Sequence, residues 1–263
     1  ADDGCIHHSC SLATISGRNA HRSPNLGQVV SAPWARELFI PHPGMVMVGA
    51  DLEGLELRAL GHYLAAFDEG AFADVVVNGD IHTQNAERVG CSRSEVKSLV
   101  YGFIYGAGDV KLGHILHPEL SDAQKKSLGT ELRRKFLDAI PGLEPLVNAV
   151  KAKVRSAGQL KALDGRPIFC RAEHSSLNFL LQSCGAILSK RWCVIGQDLL
   201  DEAGLVYDHD YTRCAYVHDE VQLSVIPAEV DRVKELLVKA APMSGKYYNC
   251  LLYTSDAADD VVG

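Results

Sequence analysis

No stretch of this sequence approaches the roughly 18 consecutive apolar residues that a membrane-crossing helix needs, so no membrane partner is expected. The N-terminus carries no basic-then-apolar leader, and nothing points to secretion. None of the eight cysteines stands in a C-x-x-C pair, and most lie in apolar segments. They read as buried, reduced thiols of a cytoplasmic protein. The run CIHHSC at 5–10 has metal-friendly side chains but no partner cluster at zinc-finger spacing, so no metal site is expected there. An excess of positive charge is also missing. The net charge of −7 argues against a nucleic-acid-binding surface spread over the whole molecule. It leaves room for a local basic cleft, and basic residues do cluster at 125–135 and 151–171.

What is present suffices for a sizeable core, in one large domain or two small ones. The stretch 45–65, MVMVGADLEGLELRALGHYLA, organises the rest. Its apolar opening reads as a buried strand. From Leu55 the spacing of Leu55, Leu57, Leu60 and Leu64 turns helical. Asp51 stands at the junction, where it is either a ligand-binding carboxylate at the rim of a sheet or a helix cap. A second stretch, 91–108, opens with Ser92 and Glu95 in a capping box, so a helix starts there. On it Arg93, Lys97 and Tyr101 recur every four residues and share one face over a rise of about 12 Å. That is the length of a nucleoside triphosphate, with two cations for phosphates and a ring for base or sugar. A solvated basic face with Tyr101 in the core is the competing interpretation. Gly102, Gly106 and Gly108 loosen the end of that helix, while the run from Gly106 to Lys111 is too short for a Walker loop. In the third stretch, 214–226, two short apolar strands flank His218, Asp219 and Glu220, a β-hairpin with two carboxylates at its tip. A divalent cation is the economical partner for adjacent acids; an exposed acidic turn is the alternative.

Between these landmarks the first 40 residues read as turns and loops around Arg18 and Arg22. Residues 120–160 read as exposed helices broken at Pro141 and Gly142, 163–167 as a tight hairpin, and 174–203 as the longest helix, with Gln182 beside its apolar stripe. Two aspartates far apart in sequence, on the rims of one antiparallel sheet, can hold two Mg²⁺ ions about 3.5–4 Å apart. With an Arg–Lys–Tyr helix to orient a nucleotide, the chemistry that uses every part is nucleotidyl transfer.

The same residues resemble the family A DNA polymerases, the class of bacterial DNA polymerase I, and within it the bacteriophage replicative branch. DLEGLELR from Asp51 resembles the family's motif A. RSEVKSLVYGFIYG from Arg93 resembles motif B, and VHDE from Val217 motif C. Ser16-Gly17-Arg18, Pro24-Asn25-Leu26, GDIHT at 79–83 and Leu181-Gln182-Ser183 match further signatures, and the likeness covers about residues 4–249. The resemblance implies an α+β fold: a polymerase palm, an antiparallel sheet with helices, plus helical fingers, with most of the thumb missing. It divides the chain into palm at 1–66, fingers at 67–160 and palm again at 161–249. It implies Asp51 and Asp219 as metal ligands with the Leu52 carbonyl, and two Mg²⁺ ions as cofactors. Arg93, Lys97 and His82 are then the triphosphate contacts, and Tyr101 the ring beside sugar and base. Tyr105 lies at the templating position, and Glu56 is the gate against a ribose hydroxyl. Arg18 and Gln182 read the minor groove, while His218 and Glu220 neighbour the primer end. The implied partners are primer–template DNA, dNTPs and a processivity factor on the missing thumb, in the host cytoplasm for a phage-encoded enzyme. A fragment that only binds primer–template, and a single-subunit RNA polymerase, are the rival functions. Residues 250–263 resemble a translated sequencing adapter and are expected to be non-native.

Overall fold

The computed structural model describes residues 4–30, 32–79, 86 and 90–250. Among them the strands are β1 (Ser9–Ser11), β2 (Ala20–Arg22), β3 (Val46–Asp51), β4 (Gln159–Lys161), β5 (Pro167–Phe169), β6 (Tyr211–Val217) and β7 (Glu220–Val225). The helices are α1 (Pro33–Arg36), α2 (Leu55–Asp68), α3 (Ala71–Asn78), α4 (Arg93–Ile104), α5 (Asp109–Leu116), α6 (Asp122–Ala139), α7 (Leu143–Ala157), α8 (Ser176–Glu202) and α9 (Val230–Tyr247). The chain forms two units: Ala1–Glu56 with Gln182–Gly263, and Leu57–Leu181. The dividing points fall within the residue ranges of α2 and α8. No helix among the described residues is long and apolar enough to cross a membrane.

In the first unit a three-stranded antiparallel sheet has the order β3-β7-β6. Central β7 alternates polar and apolar residues, so one face is apolar; Val221, Leu223 and Val225 are buried, with Val48 and Ala50 of β3 buried as well. The apolar stripe of α8 packs in this unit through Cys184, Leu188 and Trp192. A buried leucine such as Leu188 contributes about 1.5–3 kcal/mol by leaving water. Trp192 donates its indole N–H to the Leu237 carbonyl at 2.8 Å, which fixes α8 to α9 without leaving a buried donor unpaired. Strands β1 and β2 pair antiparallel, with Cys10 opposite His21. This hairpin corrects the expectation of loops alone over the first 40 residues: three-residue strands are too short to display alternation.

In the second unit α4 begins at the expected capping box, with Ser92 Oγ accepting from Glu95 N at 3.3 Å and Glu95 accepting from Ser92 N at 2.8 Å. Helices α5 and α6 touch backbone to backbone. A Cβ on Gly129 would stand 1.8 Å from the Asp109 carbonyl oxygen, so a side chain there has no room. Arg133 of α6 donates to Asp109 at 2.7 Å and to the Ala107 carbonyl at 2.6 Å, closing the start of α5 against α6. Gly142, at φ 83°, makes the break between α6 and α7, and β4 and β5 form the expected hairpin.

The cysteines are free, as expected, but the expectation that they are buried holds only in part. Cys184 and Cys250 are buried, whereas Cys5, Cys10 and Cys214 are exposed. The first two belong to the N-terminal segment and its hairpin; Cys214 sits on the bulge of the edge strand β6, where one residue is left out of the ladder. The tail expected to be non-native lies outside the described residues except for Cys250.

Candidate active site: a carboxylate rim on the three-stranded sheet

Pairing of β3 with β7 brings the two distant aspartates together. Asp51 ends β3 directly opposite Glu220, and Leu52 N donates to the Asp219 carbonyl at 3.2 Å. Gly54, not Asp51, precedes the first residue of α2, so the capping alternative for Asp51 falls away. The β6–β7 turn consists of His218 and Asp219 alone, and Glu220 already belongs to β7. This corrects the picture of two carboxylates at the tip: one acid is in the turn, the other in the ladder.

The turn is held from behind. His218 adopts φ 59°, a left-handed conformation uncommon outside glycine. Ser189 of α8 donates to the His218 carbonyl at 3.0 Å and lies 2.7 Å from Tyr216 Oη. Burial pushes the Tyr216 phenol up, so it stays protonated and donates to Ser189. Glu220 accepts a hydrogen bond from the Gln222 side chain. Gln222 lies flat across Gly49 of β3, where a Cβ would come within 2.7 Å of its amide nitrogen. Arg18, in the loop between β1 and β2, donates to Glu56 at the start of α2. That loop is tied internally by Thr14 Oγ1 to the Arg18 carbonyl at 2.7 Å, and to α8 by Lys190 Nζ, which donates to the Gly17 carbonyl.

The electrostatics follow from this crowding. Burial, then the charges of Asp51 and Glu56, raise the Asp219 carboxyl to about 7, with Arg18 acting in the opposite direction. Burial and the charges of Arg18 and His21 lower His218, against the pull of Glu56. A carboxyl whose folded pKa exceeds its unfolded value of about 3.9 destabilises the fold as the solution becomes less acidic. Between about pH 4 and 7 the unfolded chain has released this proton while the folded chain still holds it. The cation-free protein is therefore expected to lose stability over that interval and to recover none of it above. Urea midpoints measured from pH 4 to 8 will show the decline, and Asp219→Asn will flatten it; an undiminished decline in that variant would acquit Asp219. The donor set suits a hard divalent cation: Asp51, Asp219 and the Leu52 carbonyl offer only oxygens, and the mutual repulsion of the two aspartates is what such an ion relieves.

The second unit carries the α4 face. Arg93 and Lys97 are exposed, and Tyr101 is half-buried, 6.2 Å from Tyr105 between ring centroids. The opposite face, Val96, Leu99, Val100, Phe103 and Ile104, is buried. Tyr101 is thus not a core residue, as the competing interpretation of this helix requires. Tyr105 is exposed just beyond the helix end. Gln182 is half-buried on α8, between buried Leu181 and Ser183. His82 lies outside the described residues. Sequence reasoning missed Ser189, Tyr216 and Gln222, which belong to no motif. Only Gly49, a glycine inside a strand pattern, signalled that something approaches the backbone closely.

The fold matches that of a solved polymerase domain, the "POL domain of Pol1 from M. smegmatis complex with DNA primer-template and dNTP". The TM-score is 0.79 at 21% identity, covering 100% of this chain and 47% of that one. The α+β polymerase fold is therefore established. The DNA polymerase family A model matches residues 1–249, and the chain belongs to that family. Among curated proteins it is 35% identical to the DNA-directed DNA polymerases of Enterobacteria phage T3 and Escherichia phage T7, over 97% of this chain and 40% of each relative. It is 27% identical to DNA polymerase I of Rhizobium leguminosarum, over 89% of this chain and 24% of that protein. The chain thus spans about two fifths of the length of the phage polymerases it matches.

Proposed function

We propose that this chain carries the palm and fingers of a template-directed DNA polymerase, in which a primer 3′-hydroxyl attacks the α-phosphate of a dNTP and pyrophosphate leaves. The observation that supports it best is the meeting of Asp51 and Asp219 at one end of the β3–β7 pair, close enough for the charge of one to raise the pKa of the other. Asp51, Asp219 and the Leu52 carbonyl would hold Mg²⁺. Two such ions, when bound, supply activation of the attacking hydroxyl and charge stabilisation for the leaving pyrophosphate. The chain's own residues bind and orient. Arg93, Lys97 and His82 contact the triphosphate, Lys97 as a point charge and Arg93 as a fork. Tyr101 stacks beside sugar and base, and Tyr105 borders the templating base. Arg18 and Gln182 donate to the minor-groove acceptors that every correct pair presents. His218 and Glu220 border the primer end. The setting is phage replication in the host cytoplasm.

Primer extension on a templated duplex with Mg²⁺ and dNTPs tests this. Templated addition is expected. Binding of primer–template without extension would replace the catalytic function with a binding one, and preference for rNTPs would point to an RNA polymerase. Glu56 sharpens the sugar question. Its carboxylate is buried and held by Arg18, so its bulk and charge are fixed. Glu56→Ala is expected to raise rNTP use relative to dNTP by roughly tenfold or more; an unchanged ratio of kcat/KM values would remove Glu56 from the gate.

A further inference from the structure

The hairpin that presents Arg18 has a second chemistry on its strands and at the residue just before β1. His8, Cys10 and His21 each offer a ligand atom, and these atoms all lie within 4.8 Å of one another. Cys10 Sγ stands 3.7 Å from His8 Nε2. It stands 3.2 Å from Nδ1 and 3.9 Å from Nε2 of His21. In a tetrahedral zinc site with Zn–S near 2.3 Å and Zn–N near 2.0–2.1 Å, the sulfur–nitrogen edge is about 3.6 Å, the middle of these values. The strand register explains the meeting. Cys10 and His21 are direct cross-strand partners, and His8 is two residues before Cys10, with its ring stacked 5.1 Å from that of His21. His21 is buried, His8 half-buried and Cys10 exposed, so the cluster has a rigid back and an open side.

We propose that His8, Cys10 and His21 form a site for one borderline-soft divalent ion of the zinc type, with the fourth corner left to water. Magnesium is the wrong partner for a thiolate and two imidazoles, and a late first-row ion is the right one. On binding, the Cys10 S–H bond gives its proton to solvent and the thiolate forms the metal–sulfur bond; no electron changes hands. The ion would clasp β1 to β2 at the base of the loop that carries Arg18. The site shares no ligand with Asp51 and Asp219, so it stands whether or not the chain extends primers.

Titration of the metal-stripped full chain with Co²⁺, in excess Mg²⁺ to occupy the carboxylates, tests the site. One Co²⁺ per chain is expected, with a thiolate-to-cobalt charge-transfer band that Zn²⁺ abolishes. Cys10→Ser should remove the band and weaken Zn²⁺ binding at least about tenfold, while Cys214→Ser, at an exposed thiol on β6, should change neither. Circular dichroism checks that each variant folds; should Cys10→Ser not fold, His8→Ala must show the same weakening. A wild-type chain without the band, or a band that persists in folded Cys10→Ser, overturns the proposal and leaves the cluster as a thiol–imidazole hydrogen bond.

Discussion

Asp219→Ala is expected to reduce primer extension by roughly 10³-fold or more while leaving primer–template affinity within about threefold. The first figure follows from the several kcal/mol that a carboxylate-held cation contributes to a phosphoryl-transfer transition state. The second follows from where the remaining contacts lie, since the DNA-facing side chains proposed here are Arg18, Gln182, Tyr105 and His218. The turn itself does not depend on the Asp219 side chain. Ser189 holds it through the His218 carbonyl and is itself bonded to Tyr216 Oη, and the Leu52 N–H uses the Asp219 backbone oxygen. Removing a carboxyl that burial and two like charges disfavour should leave the fold as stable as before or more so at pH 8. Loss of activity by unfolding is thereby separated from loss of chemistry. Single-turnover extension and anisotropy binding, run beside a urea melt, give the three readouts. Extension near the wild-type rate would count against Asp219 as a ligand. A parallel fall in affinity and stability would make it structural.

Much of the frame was legible because it is written in local period. The run before Asp51, the capping box at Ser92, the break at Pro141 and Gly142, and the stripe of α8 each need only their own neighbours to be recognised. Asp51, Asp219 and the α4 face could be singled out the same way. The roles of His82, Gln182, Tyr105 and Glu56 came instead from motif resemblance, which periodicity cannot supply. What stayed hidden is long-range. Nothing near Cys10 announces that His21 will stand opposite it, because strands of three residues carry no pattern. Nothing in the hairpin of β6 and β7 announces Ser189, which lies 29 residues before His218 on another element. The carboxylate of Glu220 was expected at a tip because two adjacent acids look like a turn; a two-residue turn places the second acid in the ladder instead.

Arg18 shows how such a hidden partner changes an expectation. As a minor-groove reader it would be dispensable for folding, and its removal would affect only DNA-dependent steps. The structure pairs it with Glu56, and the side chains are only 19% and 9% exposed. Truncating one member of a buried pair leaves the other charge without that partner, which costs about 3 kcal/mol. Arg18→Ala is therefore expected to lower the urea-melt stability by about that amount. It also removes the positive charge that restrains Asp219, whose carboxyl should rise further. Extension at neutral pH is expected to fall as well, through the loss of the base contact proposed for Arg18. The double variant Arg18→Ala/Glu56→Ala should recover most of the stability, because no carboxylate then lacks its Arg18 contact, but not the extension. A coupling of about 2 kcal/mol or more between the two positions in that cycle would establish the pair as structural. Strict additivity would return Arg18 to the DNA alone. Its planar guanidinium donates to Glu56 through Nη2. Arg18→Lys, with an ammonium in place of the planar fork, is expected to keep the charge but to recover only part of the coupling to Glu56 in the same cycle.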